Sequence, residues 1–333
     1  MTPDRPPGRK TYTRLATGRR IPSEYELMST DLHYNYPRRF ELPAGNPVVD
    51  WYYRHREGSA LRSSDWEKFA DPRRTTYQIY TGLQDSREEV VDGLFREVDE
   101  TNYCAQLDDE WIRFLELWYA PMRFPMHGLQ MLAAYVAQMA PSSRITNCAA
   151  FQMGDEMRRV QRIAYRTVQM AGRPLDVEAV ARQRAMWEEA AAFQPLRELI
   201  ERALVAYDWA ESFVVTNAII KPRIDRLVNQ DIAGTLANAN GDPILASIHF
   251  SLDEDARWHR EWTVSLLRHI VADNTANSEV VSGWIDQWSP LASEALEALA
   301  GVAAQAPVPA DPRAVTTRIA DEVSRDAGAA LER

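Results

Sequence analysis

Gly154-Asp155-Glu156-Met157-Arg158-Arg159-Val160-Gln161 decides how the fold is read. The stretch has the look of a metal-holding helix in a carboxylate-bridged di-iron bundle. Such a helix carries Glu-x-x-His, which sets a carboxylate and an imidazole on one helix face a turn apart. Here the residue three positions after Glu156 is Arg159. A guanidinium is permanently charged and offers only donors, so it cannot ligate a metal. The six histidines (His33, His55, His127, His249, His259 and His269) fail the same test. Thr30, Tyr52, Phe124, Ala246, Ala256 and Leu266 stand three positions before them. The chain reads as an oxygen-activating scaffold without the ligands for its metal.

Outward from this stretch the apolar residues keep a helical period. Residues 75–100 form one amphipathic segment, with Tyr77, Tyr80, Leu83, Val90, Val91, Leu94, Phe95 and Val98 as its apolar stripe. Residues 108–139 form a long one, about 45 Å if unbroken, in which Pro121 and Pro125 predict a kink. Ser142 or Ser143 can cap a helix to about Met170. A shorter helix follows near 177–193, and Pro195 suits the first turn of the next. That helix is expected to break at Lys221-Pro222 and resume to about Ala239. Asn240-Gly241-Asp242-Pro243 is a turn, followed by a helix over 244–271 and shorter ones near 279–287 and 290–304. Residues 306–310 read as a linker, and Asp311-Pro312 as the start of a short terminal helix. No strand pattern and no clear internal repeat stands out. The expected fold is all-α, a ferritin-like (ribonucleotide-reductase-like) bundle whose four long helices run over about 106–139, 141–171, 195–220 and 243–271. The expected division is an extended N-terminal arm at 1–62, a helical domain at 63–305, and a linker with a short helix at 306–333. The arm is rich in proline, yet holds Tyr25, Tyr34, Tyr36, Phe40, Trp51, Tyr52 and Tyr53. A disordered tail carries few aromatics, so the arm is expected to lie on another surface, a partner's before its own.

Composition excludes several classes. The net charge of −10 argues against nucleic acid as a partner. No apolar run is long enough for a membrane span, and the N-terminal 20 residues lack an apolar signal core. Cys104 and Cys148 are too few for a disulfide framework or a cysteine metal site, which fits a reducing cytoplasm. Of 38 basic residues only Lys10, Lys68 and Lys221 are lysines. Genomic base composition explains that simply; arginine is also favoured at interfaces. There is no phosphate loop and no Gly-x-Ser-x-Gly elbow.

Carboxylates can be placed on all four long helices: Glu110 or Glu116 on the first, Asp155 and Glu156 on the second, Glu211 on the third, and Asp253, Glu254 and Asp255 on the fourth. His259 follows Asp255 by four positions and shares its face. The positions of a degenerate site are therefore Glu116, Glu156, Arg159, Glu211, Asp255 and His259. Solvated faces explain Asp155, Glu156 and Asp253 to Asp255 equally simply, and a surface or hydrogen-bonded role explains His259. If the second helix does turn Glu156 inward, Arg158 or Arg159 can supply the charge that a metal would have brought.

Longer motifs carry a resemblance. Pro22-Ser23-Glu24-Tyr25-Glu26, Leu32-His33-Tyr34, Tyr135-Val136-Ala137-Gln138-Met139-Ala140-Pro141-Ser142, Ala164-Tyr165-Arg166-Thr167, the run Ala206 to Phe213, Val214 to Pro222, and Gly283-Trp284-Ile285-Asp286-Gln287-Trp288 resemble the beta (small) subunit of the hydroxylase of bacterial multicomponent di-iron monooxygenases. The branch is that of toluene, benzene and alkene (isoprene) monooxygenases. The likeness covers about residues 10–300, and the tail beyond about 305 departs from it. It implies a ferritin-like subunit in a hydroxylase of two alpha, two beta and two gamma chains. It implies di-iron in alpha, a reductase with FAD and a 2Fe-2S cluster drawing on NADH, an effector protein and a Rieske ferredoxin. No catalytic residue carries over, because the family's beta subunit has none. Two rivals stay open: a self-sufficient di-iron oxygenase or ribonucleotide-reductase-like protein with atypical ligands, and a helical adaptor unrelated to oxygenation.

Overall fold

The computed structural model describes residues 21–31, 45–171 and 177–331. The Leu32-His33-Tyr34 motif, Tyr36 and Phe40 lie outside them. The described residues are helical and contain no strand. After a turn at Glu24–Glu26 and a π turn at Leu27–Asp31, the helices are α1 (Pro47–Glu57), α2 (Tyr77–Thr101), α3 (109–139), α4 (Ser143–Ala171), α5 (Val177–Glu189), α6 (Gln194–Ala203), α7 (209–239), α8 (Pro243–Asp273), α9 (Ala276–Ala300) and α10 (Pro312–Leu331). Two antiparallel hairpins, α3 with α4 and α7 with α8, face each other as the expected bundle. The core between them holds Leu129, Ile145, Ile163, Phe213, Ile220, Leu227, Leu245, Trp262 and Leu266. Outside it, α2 lies on α4 and α8, α9 on α6 and α7, and α10 across α7, α8 and α9.

Local side-chain chemistry fixes where these helices start. Side chains of Thr76, Asp108, Ser142, Asp208 and Asp242 accept the first free N–H groups of α2, α3, α4, α7 and α8. Asp242 is fully buried and does more. It pairs with Arg166 at 3.1 Å and accepts from Trp111 Nε1 at 3.3 Å, so the cap of α8 is tied to α4 and α3.

The breaks are where the structure departs from the sequence reading. Near the prolines of α3 the helix passes through a π turn at Leu115–Tyr119 and a 3-10 turn at Ala120–Met122 before resuming. The third long helix does not run unbroken over 195–220. α6 ends at Ala203, and α7 is nucleated anew by Asp208. Conversely, Lys221-Pro222 does not break α7. Proline lacks an N–H and crowds the carbonyl four residues back, and the wider π turn at Val214–Ile220 accommodates both. Pro290 is likewise absorbed, so 279–287 and 290–304 are one helix. On α2 only Val91, Phe95 and Val98 of the expected stripe are buried; Tyr77, Leu83 and Val90 point to solvent.

The described parts of the 1–62 arm are partly helical and lie on the chain itself. The Tyr25 hydroxyl accepts the Asp71 N–H at 3.0 Å, and Trp51 stands edge-on to Tyr207 with ring centres 5.5 Å apart. Asp208 holds the end of the arm as well as capping α7. Its carboxylate accepts from Ser59 Oγ at 2.6 Å and from the Ala60 N–H at 2.7 Å. The terminal helix α10 buries Val315, Ile319 and Val323. It also clamps the π-helical part of α7, where Arg226 pairs with Glu322 and Asp326, each at 2.6 Å.

Because Asp208 serves a cap and the arm together, Asp208→Ala is expected to lower stability by about 1–2 kcal/mol. Urea denaturation measures it, and an unchanged midpoint contradicts the double role.

Candidate functional site: a buried ion cluster in the bundle

Directly after Gly154, α4 turns Asp155, Glu156 and, a turn on, Arg159 into the bundle; all three are at most 3% exposed. The solvated alternative for this face is therefore overturned. Opposite them α7 presents Lys221 and Asp225, one turn apart and equally buried. Arg159 donates to Asp225 Oδ1 at 2.7 and 2.8 Å and lies 3.4 Å from Glu156. Lys221 pairs with Glu156 Oε1 and stands 3.0 Å from Asp225 Oδ2. Two cations and two carboxylates thus close on one another, with no net charge. Met126 of α3 covers the cluster, its sulfur 2.8 Å from Arg159.

Arg159 and Asp225 hold each other ionised. Burial alone would raise the Asp225 carboxyl, but Arg159 and Lys221 outweigh it and hold the group well below the ordinary carboxylate range. Burial would likewise lower Arg159, and Asp225 and Glu156 more than offset it. Bringing each ion out of water costs several kcal/mol, so the cluster is stable only while complete.

A second network adjoins the first. Asp155 Oδ2 meets His259 Nε2 at 2.9 Å, and Oδ1 accepts from Tyr80 at 2.8 Å and Gln84 at 2.7 Å. Gly154 makes room for this: a Cβ there would stand 2.6 Å from the Tyr80 hydroxyl. Asp255 receives Arg158 at 2.6 Å, Gln84 at 2.9 Å and Arg87. Arg158 reaches on to Glu88. Burial, and the nearby charge of Asp255, push the Asp155 carboxyl well up. Burial and the Lys221 charge push His259 well down. Above these, His249 is fully buried between Tyr119 (2.8 Å to Nε2) and Asn229 Oδ1 (2.9 Å to Nδ1). With Asn229 accepting, Nδ1 carries the proton and Nε2 accepts from Tyr119, so the ring is neutral. Burial, and Arg159 nearby, push it down to about 3.

The six positions proposed from sequence divide evenly. Glu156 and Arg159 meet in the cluster, and Asp255 and His259 lie beside it. His259 pairs with Asp155 across the bundle rather than with Asp255 on its own helix. Glu116 does not join: it sits exposed on the π turn of α3. Nor does Glu211, which is half-buried at the start of α7 and accepts from Trp288 Nε1 at 3.0 Å. Glu110 is exposed, Glu254 pairs with Arg257, and Asp253 accepts from Gln230 at 3.0 Å. The true partners from the third helix, Lys221 and Asp225, were missed. A signal existed: a rare lysine among Ile219, Ile220, Pro222 and Ile224, with an aspartate four positions on.

The donor set does not fit two irons. Arg159 takes the place of the histidine, and Lys221 points a second cation at Glu156. Among the described residues no group of three His, Cys, Asp or Glu side chains is arranged to hold a metal ion.

Arg159→Ala leaves Glu156 and Asp225 short of a cation, and is expected to cost about 3–5 kcal/mol in chemical denaturation. An unchanged midpoint rules out the internal pairing. Stability should also depend on pH through His249. Below about pH 6.5 the unfolded chain protonates this ring, while the folded chain does so only near pH 3. The folded state therefore loses stability as pH falls through that window, by up to about 1.4 kcal/mol per pH unit. His259 acts in the same direction, and Asp155, whose folded carboxyl holds its proton longer, opposes them. Denaturation midpoints of His249→Gln between pH 7 and 5 should fall less steeply than those of the unaltered chain; equal slopes remove His249 from the account.

Comparison with known proteins agrees with this architecture. A chain of toluene 4-monooxygenase hydroxylase, solved with toluene bound in its resting active site, superposes with a TM-score of 0.80 at 35% identity, over 85% of this chain and 94% of that one. Phenol hydroxylase from Pseudomonas sp. OX1 shares the fold with a TM-score of 0.85 at 22% identity, over 99% and 97%. The beta subunit of the hydroxylase component of the toluene-4-monooxygenase system of Ectopseudomonas mendocina is 36% identical over 292 residues, 87% of this chain and 89% of the relative. Residues 51–274 match the family described as Methane/Phenol/Alkene Hydroxylase, and the chain belongs to that family.

Proposed function

We propose that this chain is the non-catalytic beta subunit of a multicomponent monooxygenase hydroxylase. In this reading it braces an alpha subunit whose di-iron centre inserts one oxygen atom of O2 into an aromatic or alkene hydrocarbon. The observation that carries the reading is the buried ion cluster. A bundle of the right family has its centre filled by Arg159 and Lys221, so the oxidative chemistry belongs to another subunit. No residue here is assigned a catalytic, cofactor-binding or metal-binding role. Iron then resides in alpha, and FAD and a 2Fe-2S cluster in the electron-transfer proteins. A gamma subunit, an effector protein, a Rieske ferredoxin and an NADH reductase complete the system. Cytoplasmic residence follows from that company, and no described helix is long and apolar enough to cross a membrane. Residues 1–62 are taken as an arm, 63–305 as the helical body and 306–333 as a linker and C-terminal helix.

A bracing role needs a rigid body and a sticky face. The charge-locked core supplies the first. For the second, the outer face of α2 exposes Ile79 (47%), Leu83 (46%) and Val90 (62%) on one stripe. Gly82 in the same stripe has open space around its Cβ position, so a partner helix can approach closely.

Leu83→Glu with Val90→Glu is the test. Co-expressed with the other hydroxylase subunits, the unaltered chain should co-purify with an iron-bearing partner identified by mass analysis. The double variant should lose that partner while its own thermal midpoint stays in place, since both side chains are exposed. A chain that purifies alone with two bound irons overturns the proposal.

A further inference from the structure

Just past the cluster, α7 is π-helical from Arg226 to Leu236, a run of 11 residues. Such winding occurs mostly as single-turn bulges inside α-helices, so a run of this length needs a hold from outside the backbone. Contacts five residues apart mark it. The Thr235 hydroxyl donates to the Gln230 carbonyl at 3.1 Å, and a Cβ on Gly234 would stand 3.0 Å from the carbonyl oxygen of Asn229. Asn229 is also the residue whose side chain meets buried His249. The winding of this stretch therefore decides where that partner points.

The terminal helix α10 grips the stretch at two points. Buried Arg226 donates to Glu322 and Asp326, each at 2.6 Å, and to the Pro222 carbonyl at 2.9 Å. Asp231 accepts from Arg318, which also donates to Glu322 at 2.8 Å. Arg318, Glu322 and Asp326 follow at four-residue steps along one face of α10. The gripped residues, Arg226 and Asp231, are five apart. In an α-helix five residues turn the chain through about 500°, which leaves two such side chains about 140° apart around the axis. In a π-helix the i→i+5 hydrogen bonds set them one above the other. One row on α10 reaches both only while α7 is wound as π-helix. The start of α10 is anchored separately: the Asn240 side chain accepts the Val308 N–H at 2.8 Å and donates to its carbonyl at 3.0 Å.

We propose that α10 is a clamp that selects the π winding of α7, and through it sets Asn229 against His249. Its apolar anchors Val315, Ile319 and Val323 seat the helix on the body, and its charged row fixes the winding beneath it. When that row lets go, residues 226–236 are free to rewind as α-helix. Asp231 then leaves the face of Arg226, and Asn229 turns from the ring it serves. Helix α10 and the π stretch accordingly loosen together, as one unit. The proposal concerns contacts within this chain and is independent of the subunit assignment.

Hydrogen exchange of the full-length chain, read by mass spectrometry, tests it. In the double variant Glu322→Gln, Asp326→Asn, the amides of 226–236 should exchange about tenfold faster or more, in step with those of α10. Those of α3 and α4 should keep their rates. Arg318→Gln loosens the other grip without leaving Arg226 unpaired, and should give the same pattern more weakly. If the double variant speeds exchange throughout the chain, Arg318→Gln decides alone. Faster exchange in α10 with 226–236 unchanged overturns the proposal. So does no response in either segment, or a response in both variants that spreads to α3 and α4. None of those results touches the assignment as a hydroxylase subunit.

Discussion

The contact between Arg159 and Asp225 is the constraint on which the rest of this bundle depends. Two arginine nitrogens reach one carboxylate oxygen across the interior, joining α4 to α7 at their centres. Lys221 and Glu156 complete the arrangement from the same two helices. Each charge would be intolerable alone at this depth, and together they leave no net charge. The neighbouring side chains follow from that closure. Asp155, denied a cation of its own within the cluster, is met instead by the hydroxyl of Tyr80, the amide of Gln84 and the ring of His259. Asp255 is satisfied from outside by Arg158 and Arg87. The polar interior thus has a closed set of ions at its centre, with the protonatable pair Asp155 and His259 and the ion pairs of Asp255 beside it.

That arrangement separates geometry from chemistry. The four bundle helices, with π turns in α3 and α7, enclose internal ion pairs at their centre. Those pairs cost more to break than an apolar core of similar shape would, and contribute less net stability than their number suggests. Their value lies in register. A one-residue shift of α4 against α7 would strand four charges, so the two hairpins can meet in only one way. A subunit that braces another needs that definiteness more than it needs extra stability.

How much of this was legible beforehand depended on the kind of signal. The four-helix plan follows from a 3.6-residue apolar period, and the pairing of Glu156 with Arg159 from the presence of a cation one turn on. The cap at Ser142 follows from residue type, whereas Asp208 marks a helix start that the apolar period runs across. The continuity of α7 and α9 did not follow, because a proline reads as a break in sequence, and only the surrounding packing shows that the helix accommodates it. Glu211 and Glu116 drew attention as carboxylates on the expected helices, but their azimuth depends on where each helix starts. α7 begins afresh at Asp208, and α3 is rewound by its π turn. Lys221 and Asp225 lie at and just past Lys221-Pro222, where the sequence suggests a helix break, so neither reads as part of a bundle-facing turn. Pairing across the bundle, as between His259 and Asp155, lies beyond any single helix's spacing.

The central claim is that the side-chain cations Arg159 and Lys221 occupy the heart of this bundle and leave no ligand set for iron there. Anomalous diffraction at the iron absorption edge, on crystals of the assembled protein, addresses it most directly. The account predicts no anomalous peak among Glu156, Arg159, Lys221 and Asp225, and continuous density from Arg159 to Asp225. An iron peak within bonding distance of Glu156 and Asp225, with Arg159 turned away, would contradict it.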